Sequence, residues 1–249
     1  MKLKRFDMNS ISNNKNGNKR DNVIVVIGKN QTGKSVLVRD FLYHNQDIPI
    51  GTIISGKEDA TEFYEKIVSE SFIHNEYSSY LIEKFLQRQR MVMRQYDKER
   101  FKYNNNGFYY QEPTINPRSF VVLEDFFNEN LWENKILRRL FINSRCFRIT
   151  LLITLYNPLR LPPGLKSNID YIFILREQLR DNNYRKGIYN NYADIFPTFE
   201  SFCQTMDKYT ENYGCLVIDN NTRVEATLDE KVFWYKADFD DYNFKPVMK

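Results

Sequence analysis

Cysteine, histidine, glycine and proline are all scarce in this chain of 249 residues, with 3 Cys, 2 His, 9 Gly and 8 Pro. Cys146, Cys203 and Cys215 are odd in number, widely spaced and unaccompanied by a histidine cluster. That argues against a disulfide framework or a zinc site and makes a reducing compartment the default. Long hydrophobic runs are missing too. The longest, such as Leu151–Leu155 and Tyr171–Leu175, are strand-sized and far short of the roughly 20 residues that span a bilayer. No apolar stretch near the start resembles a secretory leader; residues 1–22 are basic and rich in Asn, so secretion is not expected. Nor is there a strong excess of one charge. A net charge of +4 permits nucleic-acid binding without demanding it.

What is present suits a folded chain with a sizeable core: 42% hydrophobic and 27% charged residues, an ordinary balance. Asn, Ile, Lys, Tyr and Phe are abundant, as in the product of an A/T-rich coding sequence. The 19 Phe and 17 Tyr are scattered through every segment, which reads as core and half-buried surface rather than a base-stacking platform.

Residues 1–21 carry Lys2, Lys4, Arg5, Lys15, Lys19 and Arg20 among Asn and Ser, without hydrophobic period. They read as a poorly ordered basic tail, and residues 22–249 as one domain. Val23–Ile27, Thr52–Ser55, Ser119–Leu123, Thr150–Leu155 and Ile169–Leu175 are short apolar runs of the kind buried in parallel sheets. Helical spacing follows over Lys34 to about His44, Glu58–Val68, Ser78–Phe101 and Leu131–Phe141. Asn104–Asn106, Gly107, Pro113 and Pro117 break the pattern. Downstream, Pro197–Tyr209 reads as a helix opened by its proline, with Gly214–Asp219 and Lys231–Lys236 as further strands. Strands alternating with helices predict an α/β fold with a mainly parallel central sheet.

Gly28-Lys29-Asn30-Gln31-Thr32-Gly33-Lys34-Ser35 fits the phosphate-loop pattern GxxxxGK[ST], with an apolar strand before it and an amphipathic helix after it. The two glycines let the backbone turn its N–H groups inward on phosphate oxygens, and the helix N-terminus adds partial positive charge. Lys34 is expected to reach the β- and γ-phosphates of ATP, and Ser35 to give its hydroxyl to Mg²⁺. Gly28 through Val36 is the expected nucleotide-binding stretch.

Phe120-Val121-Val122-Leu123-Glu124-Asp125 is an apolar strand ending in two acids. One carboxylate would hold the Mg²⁺ water shell and the other polarise an attacking water, which favours hydrolysis over transfer to a bound acceptor. At the polar end of the fourth strand, Tyr156 and Asn157 are candidate γ-phosphate sensors. Among Arg138, Arg139, Arg145 and Arg148, Arg145 is the first choice for an arginine donated across a subunit interface. Arg88, Arg90, Arg94, Arg100 and Lys102, interleaved with Tyr96 and Phe101, form a basic helical stretch. It reads first as a solvated face and second as a phosphate-tracking surface.

With these motifs in place, the sequence resembles the genome-packaging ATPases of nucleocytoplasmic large DNA viruses, in the FtsK–HerA class. The likeness extends through Ile48-Pro49-Ile50-Gly51, Ile54-Ser55-Gly56, Phe72-Ile73-His74-Asn75-Glu76-Tyr77, Leu161-Pro162-Pro163, Asn168 to Glu177 and Phe196-Pro197-Thr198-Phe199-Glu200. It runs from about Val23 to about Lys236. The resemblance implies a RecA-like core in a homo-oligomeric ring, with ATP between subunits and double-stranded DNA in the channel. It also implies a capsid-vertex or portal-like partner, and a location in the host cytoplasm, at the viral factory, or in the virion. The family's acid pair usually begins with Asp, whereas Glu124 comes first here. By position Glu124 is the Mg²⁺-side acid and Asp125 the water-activating one. The family also tends to carry Gln after the fourth strand's Ile-Thr, where this chain has Leu155-Tyr156-Asn157. These departures raise the alternative of an ATP-binding docking subunit that hydrolyses weakly. A small-molecule kinase would need an acceptor pocket and a lid with paired arginines, neither of which the sequence places.

Overall fold

Runs of four to seven aliphatic and aromatic residues, too short for helices, form the frame of the molecule. The computed structural model describes residues 2–11, 20–57, 59–104, 107–110, 112–125, 131–177, 181–222 and 225–238. Its strands are β1 (Lys4–Arg5), β2 (Val23–Ile27), β3 (Gly51–Ser55), β4 (Ile73–His74), β5 (Phe101–Asn104) and β6 (Gly107–Tyr110). They continue with β7 (Ser119–Glu124), β8 (Ile149–Leu155), β9 (Tyr171–Leu175), β10 (Cys215–Asp219) and β11 (Val232–Tyr235). The helices are α1 (Lys34–His44), α2 (Ala60–Tyr64), α3 (Ser79–Arg100) and α4 (Lys135–Asn143). After them come α5 (Pro163–Lys166), α6 (Asn182–Tyr192), α7 (Phe199–Tyr209) and α8 (Leu228–Lys231).

One sheet runs in the order β1-β11-β10-β9-β2-β8-β7-β3-β4, and β5 pairs with β6 in a separate hairpin. Within the main sheet β10 is antiparallel to both β9 and β11, and the other pairings are parallel. Because successive side chains of a strand point to opposite faces, each central strand feeds two cores. Val23, Val25 and Ile27 of β2 join Leu151 and Ile153 of β8 and Phe141 of α4 on one face. Ile24 and Val26 join Leu37 and Phe41 of α1 on the other. Both faces are covered, which is why these strands read as continuous apolar runs rather than alternating ones.

β3, β7 and β8 lie on one side of β2, and β9, β10 and β11 on the other. The strand order therefore reverses at β2, and open α/β sheets bind ligands outside the carboxyl ends of their strands at such a point.

Residues 2–11 correct the expectation of a disordered tail. Leu3, Phe6, Met8 and Ile11 are buried, and β1 pairs parallel with β11 at the sheet edge. Phe6 meets the rings of Tyr171, Phe173, Phe233 and Tyr235 edge-on, at centroid distances of 5.7–6.4 Å. Four apolar residues spread among basic ones have no strand or helix period, yet they are enough to seal the sheet. Residues 12–19 of the expected tail lie outside the described residues. The helix expected over Glu58–Val68 is shorter, Ala60–Tyr64. Its end tightens into a turn, with the Ile67 N–H donating to the Tyr64 carbonyl at 2.9 Å, which directs Ile67 and Val68 into the core.

Candidate active site

The loop after β2 is held in shape by its own chain. Gly28 N–H donates to the Leu155 carbonyl at 3.0 Å, extending the β2–β8 ladder by one residue. A Cβ at Gly28 would fall 2.5 Å from Thr32 Oγ1 and 3.0 Å from Leu175 Cβ, so only glycine fits. Gly33 has φ of 101°, a left-handed conformation that side chains resist. It is also the N-cap of α1 and provides no side-chain cap, which leaves first-turn N–H groups open to an anion. Thr32 Oγ1 donates to the Lys29 carbonyl at 2.8 Å and ties the loop across its base.

The two loop lysines diverge. Lys29 turns away from the cleft: its ammonium meets Glu177 at 3.2 Å and Asp181 at 3.7 Å, and lies 4.8 Å from the Tyr184 ring centroid. Its side chain buttresses the loop, and only its backbone can serve a ligand. Lys34 points inward, with its side chain 4% exposed. Its ammonium donates to the Lys29 carbonyl at 3.1 Å and sits 3.5 Å from Asp125 Oδ1. Burial holds the Lys34 ammonium below the usual lysine pKa; Asp125 opposes that effect, and Lys57 adds repulsion.

Glu124 ends β7 and is fully buried. Its Oε2 accepts from Ser55 Oγ and Tyr64 Oη, each at 3.0 Å. Burial, with the Glu124 charge beside it, pushes the Tyr64 hydroxyl well above its ordinary pKa, so it stays a donor. Oε1 faces the loop and accepts from Ser35 Oγ and, at 2.9 Å, from the Lys57 ammonium. Asp125 turns out of the strand at φ of 57°. Its N–H donates to Thr154 Oγ1 at 3.1 Å, and that hydroxyl donates back to Asp125 Oδ1 at 3.2 Å. Since β8 lies between β2 and β7, Thr154 stands between the loop and the acids.

Asn30, Gln31, Gly33, Lys34, Ser35 and Val36 line a cleft of about 1370 Å³ together with Lys57, Glu124, Asp125 and Tyr156. Glu124 and Ser35 present one carboxylate oxygen and one hydroxyl to the same point, where Lys57 also binds. Hard oxygen donors already gathered around a positive charge fit a Mg²⁺ ion. Among the described residues no cluster of three or more His, Cys, Asp or Glu could cage a metal, so such an ion would draw on phosphate and water for its other ligands.

Two sequence candidates are placed elsewhere. The Asn157 side chain accepts from Leu159 N–H at 2.9 Å and caps the following turn. It is outside the cleft lining, whereas Tyr156 is part of it. Arg145 precedes β8 at its amino end, so the seven residues of β8 separate it from the loop, roughly 20 Å of strand. Its guanidinium donates to Asp170 at 2.7 and 3.1 Å and to the Asn168 carbonyl at 2.7 Å. Asp170 also accepts from Val23 N–H at 2.8 Å, so Arg145 braces the far end of the sheet. Held within its own chain, it is a poor arginine finger.

Sequence reasoning missed Lys57, Thr154, Ser55 and Tyr64. Thr154 could have been found as the polar residue one position before the end of an apolar strand. Nothing local marks Tyr64 or Lys57, because strand order brings them to Glu124.

A phosphate loop at the strand-order reversal, with an acid pair two strands away, defines a RecA-like P-loop NTPase fold. No protein-family model matches the chain. An uncharacterized mimivirus protein, L437, is 33% identical over 97% of this chain and 79% of its own length. Uncharacterized protein 075L of invertebrate iridescent virus 6 is 34% identical over 94% of this chain and 85% of its own length. Among solved structures, the genome-packaging NTPase B204 of Sulfolobus turreted icosahedral virus 2, in complex with AMP, aligns at a TM-score of 0.56 and 15% identity. That alignment covers 88% of this chain and 98% of B204. The pCW3 conjugation coupling protein TcpA, with ATPγS, aligns at 0.58 and 16% identity over 90% of this chain and 62% of its own. These last two share the fold. The chain belongs to the family of nucleocytoplasmic large DNA virus proteins that its viral relatives represent, in agreement with the resemblance read from its sequence.

Proposed function

We propose that the chain is an ATPase that hydrolyses ATP with Mg²⁺ to translocate double-stranded viral DNA into a preformed capsid. The observation that carries this reading is the convergence of Gly33, Lys34 and Ser35 of the loop with Glu124 and Asp125 on one cleft, where Thr154 Oγ1 donates to the Asp125 carboxylate. B204 is described as a genome-packaging NTPase and has been solved with AMPPCP and with ATPγS, which supports extending nucleotide binding to this chain.

In this reading the loop amides and the α1 N-terminus cradle the phosphates. Lys34 leaves its contact with the Lys29 carbonyl and donates to the β- and γ-phosphates. Mg²⁺, when bound by Ser35 Oγ and Glu124 Oε1, would draw charge from the phosphate oxygens. Asp125 accepts a proton from the attacking water, and Thr154 holds its carboxylate in place. Tyr156 remains the sensor candidate because it reaches the cleft. The chain works as a homo-oligomeric ring docked on a capsid vertex or portal-like protein, in the host cytoplasm at the viral factory. An arginine finger would come from a residue other than Arg145.

The test is ATP turnover with and without double-stranded DNA, for wild type and Lys34→Ala. DNA-stimulated turnover that Lys34→Ala reduces at least 100-fold is the expected result. Turnover untouched by losing Lys34 would sink the assignment of the loop, and turnover indifferent to DNA would sink the motor.

A further inference from the structure

The backbone of Lys57 is fixed beside the acid pair. β3 and β7 pair with Ser55 opposite Glu124, and the next residue, Gly56, donates its N–H to the Glu124 carbonyl at 3.2 Å. Lys57 N–H donates to Ser55 Oγ at 3.4 Å. From this base the side chain enters the cleft, 35% exposed. Its ammonium donates to Ser35 Oγ and to Glu124 Oε1 at 2.9 Å, and lies 3.7 Å from Asp125 Oδ2.

These are the oxygens assigned to the metal. Glu124 Oε2 already accepts from Ser55 and Tyr64, so Oε1 is the oxygen left to face the cleft, and Lys57 holds it. A Mg²⁺ ion sits about 2.0–2.1 Å from its oxygens. An ammonium donating to the same hydroxyl and the same carboxylate oxygen occupies that space. Charge counting agrees. At the acid pair itself Lys34 and Lys57 balance Glu124 and Asp125, which leaves a divalent ion little attraction there.

We propose that Lys57 is a tethered cation that holds the Mg²⁺ position in the nucleotide-free chain and must be displaced before the metal can enter. This rests on the reading of Ser35 and Glu124 as metal ligands. The bare protein then excludes free divalent ions, and metal enters with the triphosphate, whose negative charge receives the displaced ammonium. The Lys57 side chain is 35% exposed, which leaves its stem room to swing out of the cleft.

The experiment is Mn²⁺ binding without nucleotide, followed by electron paramagnetic resonance. Lys57→Met is expected to bind Mn²⁺ at least tenfold more tightly than wild type. Lys57→Arg, which keeps the charge, stays near wild type, and Lys57→Met with Glu124→Gln loses the gain. A Lys57→Met chain that folds only in millimolar Mn²⁺ counts as the same gain; if it folds in neither condition, Lys57→Gln makes the comparison. Equal Mn²⁺ affinity with and without the Lys57 charge overturns the proposal, as does a gain that survives Glu124→Gln. A separate arm measures Mn²⁺ binding with a non-hydrolysable ATP analogue in wild type and Glu124→Gln. Undiminished binding in Glu124→Gln removes the metal-site reading itself, whatever Lys57 does.

Discussion

The φ of 57° at Asp125 costs an ordinary side chain roughly 1–2 kcal/mol. It persists here because Thr154 accepts from its amide and donates to its carboxylate. Thr154→Val keeps the branched shape in the core and removes both bonds. ATP affinity is expected to change less than threefold while kcat falls about 10–100-fold, the usual effect of removing a partner that orients a working group; Thr154→Ser restores most of the loss. A matching fall in affinity would show that Thr154 shapes the binding loop instead. Gly33 makes a second case. An added Cβ there meets only the Tyr213 ring, at an ordinary 3.6 Å, but the φ of 101° remains. Gly33→Ala should therefore lower stability by roughly 1–2 kcal/mol in urea denaturation and weaken nucleotide binding, because the loop relieves the strain by moving.

Elements recorded in composition were legible, and elements fixed by partners were not. The run Val23–Ile27 and the phosphate loop identified β2, α1 and the site between them, since burial on both faces and glycine geometry leave local marks. β10 was legible as a strand but not in direction, because Cys215–Asp219 pairs antiparallel only through the position of its neighbours. The β5–β6 hairpin reads at first only as a break, although Asn followed by Gly107 between aromatic runs is a hairpin signal. The amino-terminal segment was the largest miss. Its apolar residues are few and aperiodic, and the rings that receive Phe6 come from β9 and β11, well over a hundred residues away. Phe6→Ala empties a site enclosed by four rings and should cost about 3–5 kcal/mol, read as a lower urea midpoint with an unchanged slope. A loss below about 0.5 kcal/mol, the range of ordinary surface changes, would return residues 2–11 to the status of a tail.

In the proposed function, hydrolysis at the carboxyl ends of the central strands moves DNA only if another part of the molecule grips the backbone, and α3 has the physical character for it. Its buried residues are Ile82, Phe85, Leu86 and Gln89. No side chain from Arg90 to Arg100 is fully buried, and at 1.5 Å per residue the stretch extends about 16 Å. Along it Arg90, Arg94, Lys98 and Arg100 outnumber Asp97 and Glu99. Arg94 and Lys98 are four apart on one exposed face, and neither lines the cleft. A motor on genomic DNA must bind phosphates rather than bases, so its affinity should fall with salt and ignore sequence. Replacing Arg94 and Lys98 with Gln is expected to weaken binding equally for unrelated duplexes. The slope of log affinity against log salt should become shallower by about 0.9 for each phosphate that is no longer neutralised, with hydrolysis in the absence of DNA unchanged. Fluorescence anisotropy across a KCl series measures both quantities. An unchanged slope would move the DNA track to another surface, and a weakening confined to one sequence would replace a translocating motor with a sequence reader.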